Sequence, residues 1–289
     1  MLRAINVTKS FNGKVALKDV SFEVKKGETF CLLGQNGAGK TTTINIFLGF
    51  INKDGGQAFV GEKEVGKDNI NTLTAYIPET VQLYGNLSGV ENLDFFSRLA
   101  GFIYSNKELE AFLLKIGLQS EDQHQRLSFY SKGMRQKVGI AIALAKNAEV
   151  IFMDEPTSGL DPKATAEFTK ICRELSAMGK VIFMATHDIF NAVEVGTTIG
   201  IMKEGVLVQQ LKTSEIDAGK LDEVMTSDFT AVSQLFASEN GLAQSLDSVL
   251  ERYISTDDGI LTARQDGLQS NIESLSGDRE QLNRRLASL

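Results

Sequence analysis

"TFCLLGQNGAGKTTTINIFLGF", residues 29–50, decides the fold. "TFCLLG" is a short apolar run closed by glycine, the pattern of a buried strand. "TTTINIFLGF" carries helical spacing. Between them "GQNGAGKT", Gly34 to Thr41, satisfies G-x-x-x-x-G-K-[ST] at every fixed position. A strand leading in and a helix leading out separate this motif from a chance glycine-rich turn. Glycines let the backbone turn its N–H groups inward around phosphate oxygens. The helix opening near Lys40 adds its positive end. Gly34, Asn36, Gly37, Ala38, Gly39, Lys40, Thr41 and Thr42 are therefore candidate phosphate contacts. Lys40 supplies a charge for the β- and γ-phosphates, and the Thr41 hydroxyl can ligate Mg²⁺.

Two further apolar runs have the same character. "VIFMDEP" (150–156) delivers Asp154 and Glu155 at the carboxyl end of a strand, where open α/β sheets place ligands. Asp154 suits Mg²⁺, and Glu155 suits a general base that orients the attacking water. "KVIFMATHD" (180–188) ends a third strand at His187, a candidate γ-phosphate contact on the same sheet edge. The other histidine, His124 in the polar "EDQHQRL", reads as surface. "LRAINVTKSF" and "ALKDVSFEV" alternate as half-buried strands do. "PKATAEFTKICRELSAMG" reads as an amphipathic helix, and residues 85–148 are mostly helical. Strand–helix–strand alternation predicts an α/β domain over 1–212, with a mainly parallel sheet, helices on its faces and a helical insertion.

Composition narrows the classes. The chain has 289 residues, 42% of them hydrophobic and 23% charged, which predicts a packed core rather than disorder. Its longest apolar stretch, "VGIAIALA" (138–145), is far short of the ~20 residues that span a bilayer. The two cysteines, Cys31 and Cys172, have neither metal-ligand nor disulfide-framework spacing, which points to a reducing compartment. The net charge of −7 is uneven: residues 213–289 carry 14 acidic and 6 basic side chains, against 23 and 24 before them. An acidic tail argues against a nucleic-acid partner.

"YSKGM" (130–134) admits three readings from the residues alone: a Ser–Lys catalytic pair, a phosphate-binding turn, or a polar loop before a helix. The context is a resemblance. The phosphate loop, "VIFMDEP", "TSGLD" (157–161), "TH" (186–187) and the helical entry "LYGNLSGVENL" (83–93), in this order, resemble the ATPase subunit of ABC transporters over about residues 1–212. The resemblance implies a P-loop ABC cassette with a mixed sheet core, an antiparallel β subdomain and a helical subdomain over about 85–148. It implies ATP and Mg²⁺ as ligands and a homodimer with ATP at its interface. It also implies an integral-membrane permease on another chain and a cytoplasmic position at the inner face of the membrane. YSKGM then stands where the family has its Leu-Ser-Gly-Gly-Gln signature, with Ser131 and Gly133 as phosphate contacts in a second copy. Phe11 takes the place of the aromatic that stacks on adenine. Asp161, with Ser158 and Gly159, belongs to the loop that crosses the dimer interface. Where the family usually has Gln, "AYIPET" offers Glu79, a carboxylate able to approach Mg²⁺. With Lys132 and Met134, this is similar to the branch that serves ABC-2 type export permeases.

After about residue 212 the strand-like runs stop. Leu261, Leu268, Ile272, Leu275, Leu282, Leu286 and Leu289 fall on a heptad seam weakened by Gln265 and Arg279. A coiled coil and an amphipathic helix packed on a globular body both fit. Residues 214–289, with "LDSVLERYISTDDGILTARQDGLQ", resemble the C-terminal region of the flagellar filament cap protein, hook-associated protein 2. A fusion or chimera is implied, and with it a rival function: a structural protein whose self-associating tail sets oligomerisation.

Overall fold

The computed structural model describes residues 1–215. The heptad seam and the cap-like segment lie outside the described residues. Strands β1 (Leu2–Phe11) and β2 (Lys14–Val24) form a hairpin paired from Leu2↔Val24 to Phe11↔Lys14, with register shifts between Ala4 and Ser10. Its turn is Asn12-Gly13, with φ of 48° and 82°. An Asn-Gly pair takes two positive φ values at little cost, and that twist suits a two-residue hairpin. β4 (Gly55–Val60) pairs antiparallel with β1, and β5 (Lys63–Glu64) with β4, giving a sheet in the order β2-β1-β4-β5. This is the antiparallel subdomain.

The second sheet carries the site. It contains β3 (Thr29–Leu33), β6 (Thr74–Ile77), β7 (Val150–Asp154), β8 (Val181–Thr186), β9 (Thr198–Lys203) and β10 (Val206–Lys212), ordered β10-β9-β3-β8-β7-β6. All pairs are parallel except β10 with β9, so the sheet is mixed. Both faces are covered, which is why β3, β7 and β8 read as unbroken apolar runs rather than alternating ones. The strand period of two divides their side chains between two cores. Phe30, Leu32, Phe152 and Phe183 point toward the antiparallel sheet and α1 (Lys40–Phe47). Cys31, Leu33, Ile151, Met153, Ile182 and Met184 point toward the remaining helices.

Those helices are α2 (Gly89–Leu99), α3 (Asn106–Lys115), α4 (Ser120–Gln123), α5 (Lys132–Ala145), α6 (Pro162–Ala177) and α7 (Ile189–Val195). α2 to α5 form the expected helical part. α2 and α3 each open with a capping box, Ser88 with Glu91 and Ser105 with Glu108, so each start is fixed locally by the sequence. Asp161 caps α6, whose first residue is Pro162. Among the described residues, no helix is long and apolar enough to cross a membrane.

Candidate active site

The carboxyl ends of β3 and β7 meet at a cavity of about 260 Å³, and β8 runs between those two strands. It is lined by Asn36, Gly37, Gly39, Lys40, Thr41 and Thr42 from the loop after β3, and by Glu79, Asp154 and Glu155. Gly37 has φ 82°, and a Cβ there would meet nothing within 4 Å, so glycine is required by the backbone and not by crowding. Gly39 has φ 107°, and its Cβ would come within 2.7 Å of the Ala16 carbonyl, so both conformation and space demand glycine. Gly34 and Ala38 build the loop rather than line the cavity. The Gly34 N–H donates to the Thr186 carbonyl (3.3 Å), and the Ala38 N–H donates to the Gln35 carbonyl (3.1 Å).

α1 starts at Lys40 behind Gly39, with no side-chain cap. The first-turn N–H groups of Lys40, Thr41 and Thr42 therefore face the cavity end of a helix whose dipole favours anions. The Lys40 ammonium is buried and donates to the Gly34 carbonyl at 2.6 Å and the Gln35 carbonyl at 3.3 Å. It also lies 3.5 Å from Glu155 Oε1.

The Thr41 hydroxyl donates to Asp154 Oδ2 at 2.9 Å. Burial pushes the Asp154 carboxyl above its ordinary range; the Thr41 bond works against this, and the charges of Glu155 and Glu79 add to it. A hydroxyl and a carboxylate side by side are hard oxygen donors of the kind Mg²⁺ takes. Among the described residues no group of three or more His, Cys, Asp or Glu side chains could hold a metal. An ion at this pair would complete its shell with water and substrate phosphate, as Mg²⁺ does at nucleotide sites.

Glu155 adopts a left-handed backbone, φ 45°, unusual for a residue with a side chain. Its N–H donates to the Ala185 carbonyl at 2.9 Å, so β8 holds the turn in place. Oε2 lies 2.8 Å from His187 Nδ1 and accepts the His187 main-chain N–H at 3.3 Å. Oε1 is buried without a hydrogen-bond partner. The Lys40 ammonium 3.5 Å away offsets part of its desolvation cost, and a water or ligand donor can supply the missing hydrogen bond.

Phe11, Ser131, Gly133, Asp161 and His187 do not line this cavity. Phe11 stands half-exposed at the end of β1 with Lys9 over its ring. Asp161 spends Oδ1 on the Ala164 N–H at 2.8 Å. The Ser131 hydroxyl caps α5, accepting from the Met134 N–H at 3.3 Å. Gly133 lies beside Leu160 and Ala164. Glu79 does line the cavity and accepts from the Ser158 hydroxyl at 3.0 Å. His124 pairs on the surface with Glu110. Two supports had no sequence signal. Gln136, buried on α5, donates to the Pro156 carbonyl, and Asn191 on α7 donates to Thr157. Each braces the turn that carries Glu155.

A family model described as ABC transporter matches residues 17–158. An uncharacterized ABC transporter ATP-binding protein of Nostoc, all4389, is 36% identical over 248 residues, covering 85% of this chain and 71% of that protein. The chain belongs to the ABC transporter family of ATP-binding subunits. As an ABC ATPase it binds and hydrolyses ATP, and ATP-driven closure of paired cassettes powers a permease. The linearmycin resistance ATP-binding protein LnrL of Bacillus subtilis is 32% identical, with 72% of this chain and 68% of LnrL covered. The ATP-binding cassette MJ0796, solved as a dimer in a post-hydrolysis state bound to ADP and Pi, superposes with a TM-score of 0.66 at 25% identity, covering 74% of this chain and 99% of that one.

A second model, flagellar hook-associated protein 2 C-terminus, matches residues 179–289. The ABC ATPase is thus joined to a cap-like C-terminal region. That match begins well before residue 214, inside the cassette: β8, β9 and β10 pair within the same sheet as β3. The alignment to all4389 covers 85% of the chain and so runs past residue 212 in the other direction.

Proposed function

We propose that this chain is the ATP-hydrolysing engine of an ABC-type export permease carried on a separate chain, working at the cytoplasmic face of the membrane. The observation that carries this reading is the Glu155 carboxylate, held by His187 on one oxygen and buried without a hydrogen bond on the other, beside Lys40, Thr41 and Asp154. Lys40 and the first turn of α1 bind the β- and γ-phosphates. Thr41 and Asp154 would hold Mg²⁺, which would neutralise phosphate charge, and Glu79 lines the same cavity as a further oxygen donor. Glu155 takes a proton from the attacking water, and His187 orients Glu155 and reaches the γ-phosphate.

The cavity volume of about 260 Å³ lies below the ~300–1,000 Å³ usual for small-molecule sites. This supports a site completed by a second copy. Ser131, Gly133 and the N-terminus of α5 in that copy close over the phosphates, Asp161 crosses the interface, and Phe11 stacks on adenine. The resistance named for LnrL favours export. The cassette gives way to the tail near residue 213.

A second reading rests on the match over residues 179–289: a structural fusion whose tail sets assembly. Sedimentation of the full-length Glu155→Gln protein separates the two. A monomer that dimerises only with Mg-ATP is expected. An oligomer of constant size with and without nucleotide would favour the structural reading.

A further inference from the structure

Lys132 and Glu79, two departures from the family pattern on segments far apart in sequence, meet in the same chain. The Lys132 ammonium donates to the Ser158 carbonyl at 2.6 Å and lies 3.8 Å from Glu79 Oε1. The same Oε1 accepts the Ser158 hydroxyl at 3.0 Å. Three segments are tied at one point: the start of α5, the turn that follows Glu155, and the link between β6 and α2. A cation at the first position of a helix opposes the helix dipole. α5 carries Lys132 there, and the Ser158 carbonyl and Glu79 carboxylate compensate it. Both side chains keep partial solvent access, 32% and 55%, so the pair is weak enough to open.

Glu79 also lines the nucleotide cavity. That cavity holds one ammonium, Lys40, against the carboxylates of Asp154, Glu155 and Glu79. An unpaired Glu79 would repel an anionic ligand. A Glu79 that turns inward to a metal must leave Lys132.

We propose that Lys132 is a positioning residue of the ATPase: it pairs with Glu79 in the same chain, keeps that carboxylate from repelling the incoming nucleotide, and couples its inward movement to release of the α5 N-terminus. The proposal rests on the ATPase reading, and its test has one arm that does not depend on turnover.

The first arm is amide hydrogen exchange of the full chain without nucleotide, read at residues 131–135. Lys132→Ala and Glu79→Gln should each speed exchange by about two- to fivefold, the weight of a partly exposed ion pair. The double variant should be no faster than Lys132→Ala, which already removes the pair together with the bond to the Ser158 carbonyl. Additive effects, or none, overturn the latch even if the protein proves to be no ATPase. The second arm is steady-state hydrolysis of Mg-ATP. Lys132→Ala should raise KM by about two- to fivefold at low salt, an effect that fades as salt screens the charge. Adding Glu79→Gln should recover KM, and Lys132→Arg should behave as the parent. If the defect of Lys132→Ala persists beside Glu79→Gln, Lys132 acts on nucleotide directly and the proposal fails. An inactive parent with the expected exchange pattern rejects the ATPase reading and leaves the latch standing.

Discussion

His187 Nδ1 lies 2.8 Å from Glu155 Oε2, and the His187 main-chain N–H donates to that same oxygen at 3.3 Å. The second oxygen, Oε1, has no hydrogen-bond partner. The carboxylate is therefore anchored by His187 on one side, and on the other it faces the Lys40 ammonium at 3.5 Å with no hydrogen bond made. The anchor comes from the end of β8 and the carboxylate from the end of β7, adjacent strands with Asp154 opposite Ala185. The sheet register sets the pair.

This geometry predicts that Glu155→Gln cuts ATP turnover by about 10²–10⁴-fold, the loss expected for a general base, while nucleotide binding survives. Steady-state hydrolysis and equilibrium binding of Mg-ATP, measured on one preparation, check both halves. Hydrolysis at the parental rate would remove Glu155 from the role of base.

His187→Ala should lower kcat by less than Glu155→Gln does. The main-chain donor at residue 187 remains after the ring is gone, so Glu155 keeps one of its two anchors. A kcat for His187→Ala below that of Glu155→Gln would show that the imidazole's action on the γ-phosphate outweighs its hold on the carboxylate.

Asp154 predicts a pH dependence. Its carboxyl is raised above the ordinary 3.8, first by burial. The folded state thus holds this proton more tightly than the unfolded chain, and in that window the stability contributed here falls as pH rises. Above the folded value the cost is fully present. Asp154→Asn should therefore raise the Tm of the ligand-free protein at pH 7 by a few degrees and flatten its change between pH 4 and pH 7, while abolishing Mg-dependent hydrolysis. Thermal melts across that range decide it: a Tm lowered at pH 7 would mean that the ionised carboxylate stabilises the fold.

The parts of this fold that were legible in the sequence are those whose signal is local. β3, β7 and β8 are unbroken apolar runs because both faces of the sheet are covered, and the loop after β3 declares itself by its glycines. β4, β9 and β10 were harder. β4 begins Gly55-Gly56, and β9 contains Gly200, where a Cβ would sit 2.6 Å from the Phe30 ring. Glycine there serves close packing and erases the strand signal. β10 has Gln209 and Gln210 exposed in mid-strand. The Lys132–Glu79 contact joins residues far apart in sequence, which no periodicity reports. Glu155's left-handed turn was equally silent, because it is imposed by β8 through Ala185 and not by local preference.

The cysteines offer a test of the two-core arrangement. Cys31 and Cys172 are both free and fully buried in the helix-side core. Burial pushes the Cys31 thiol up to about 12, and Cys172 also well above its ordinary value. The thiolate is the reactive form. A water-soluble thiol reagent at pH 8 should label neither residue in the native protein and both after denaturation. Rapid native labelling at Cys31 would mean that β3 is not covered on that face.

Phe183 sits at the centre of the other core. Its ring centroid lies 5.3 Å from Phe22, 5.5 Å from Phe30, 5.8 Å from Phe152 and 6.3 Å from Phe47, and the side chain has no solvent exposure. These rings join the central sheet to the antiparallel sheet and α1. Truncation leaves a cavity bounded by four aromatic residues that cannot all move in to fill it. Phe183→Ala should cost about 3–5 kcal/mol, lowering Tm by about 6–20 °C for a unit of this size. Phe183→Leu should cost less, because it keeps most of the volume. Because β8 also carries Ala185 and delivers His187, the alanine variant should weaken ATP hydrolysis even at temperatures where it stays folded. A Tm within 2 °C of the parent would show that the antiparallel sheet does not dock on β8 through this ring.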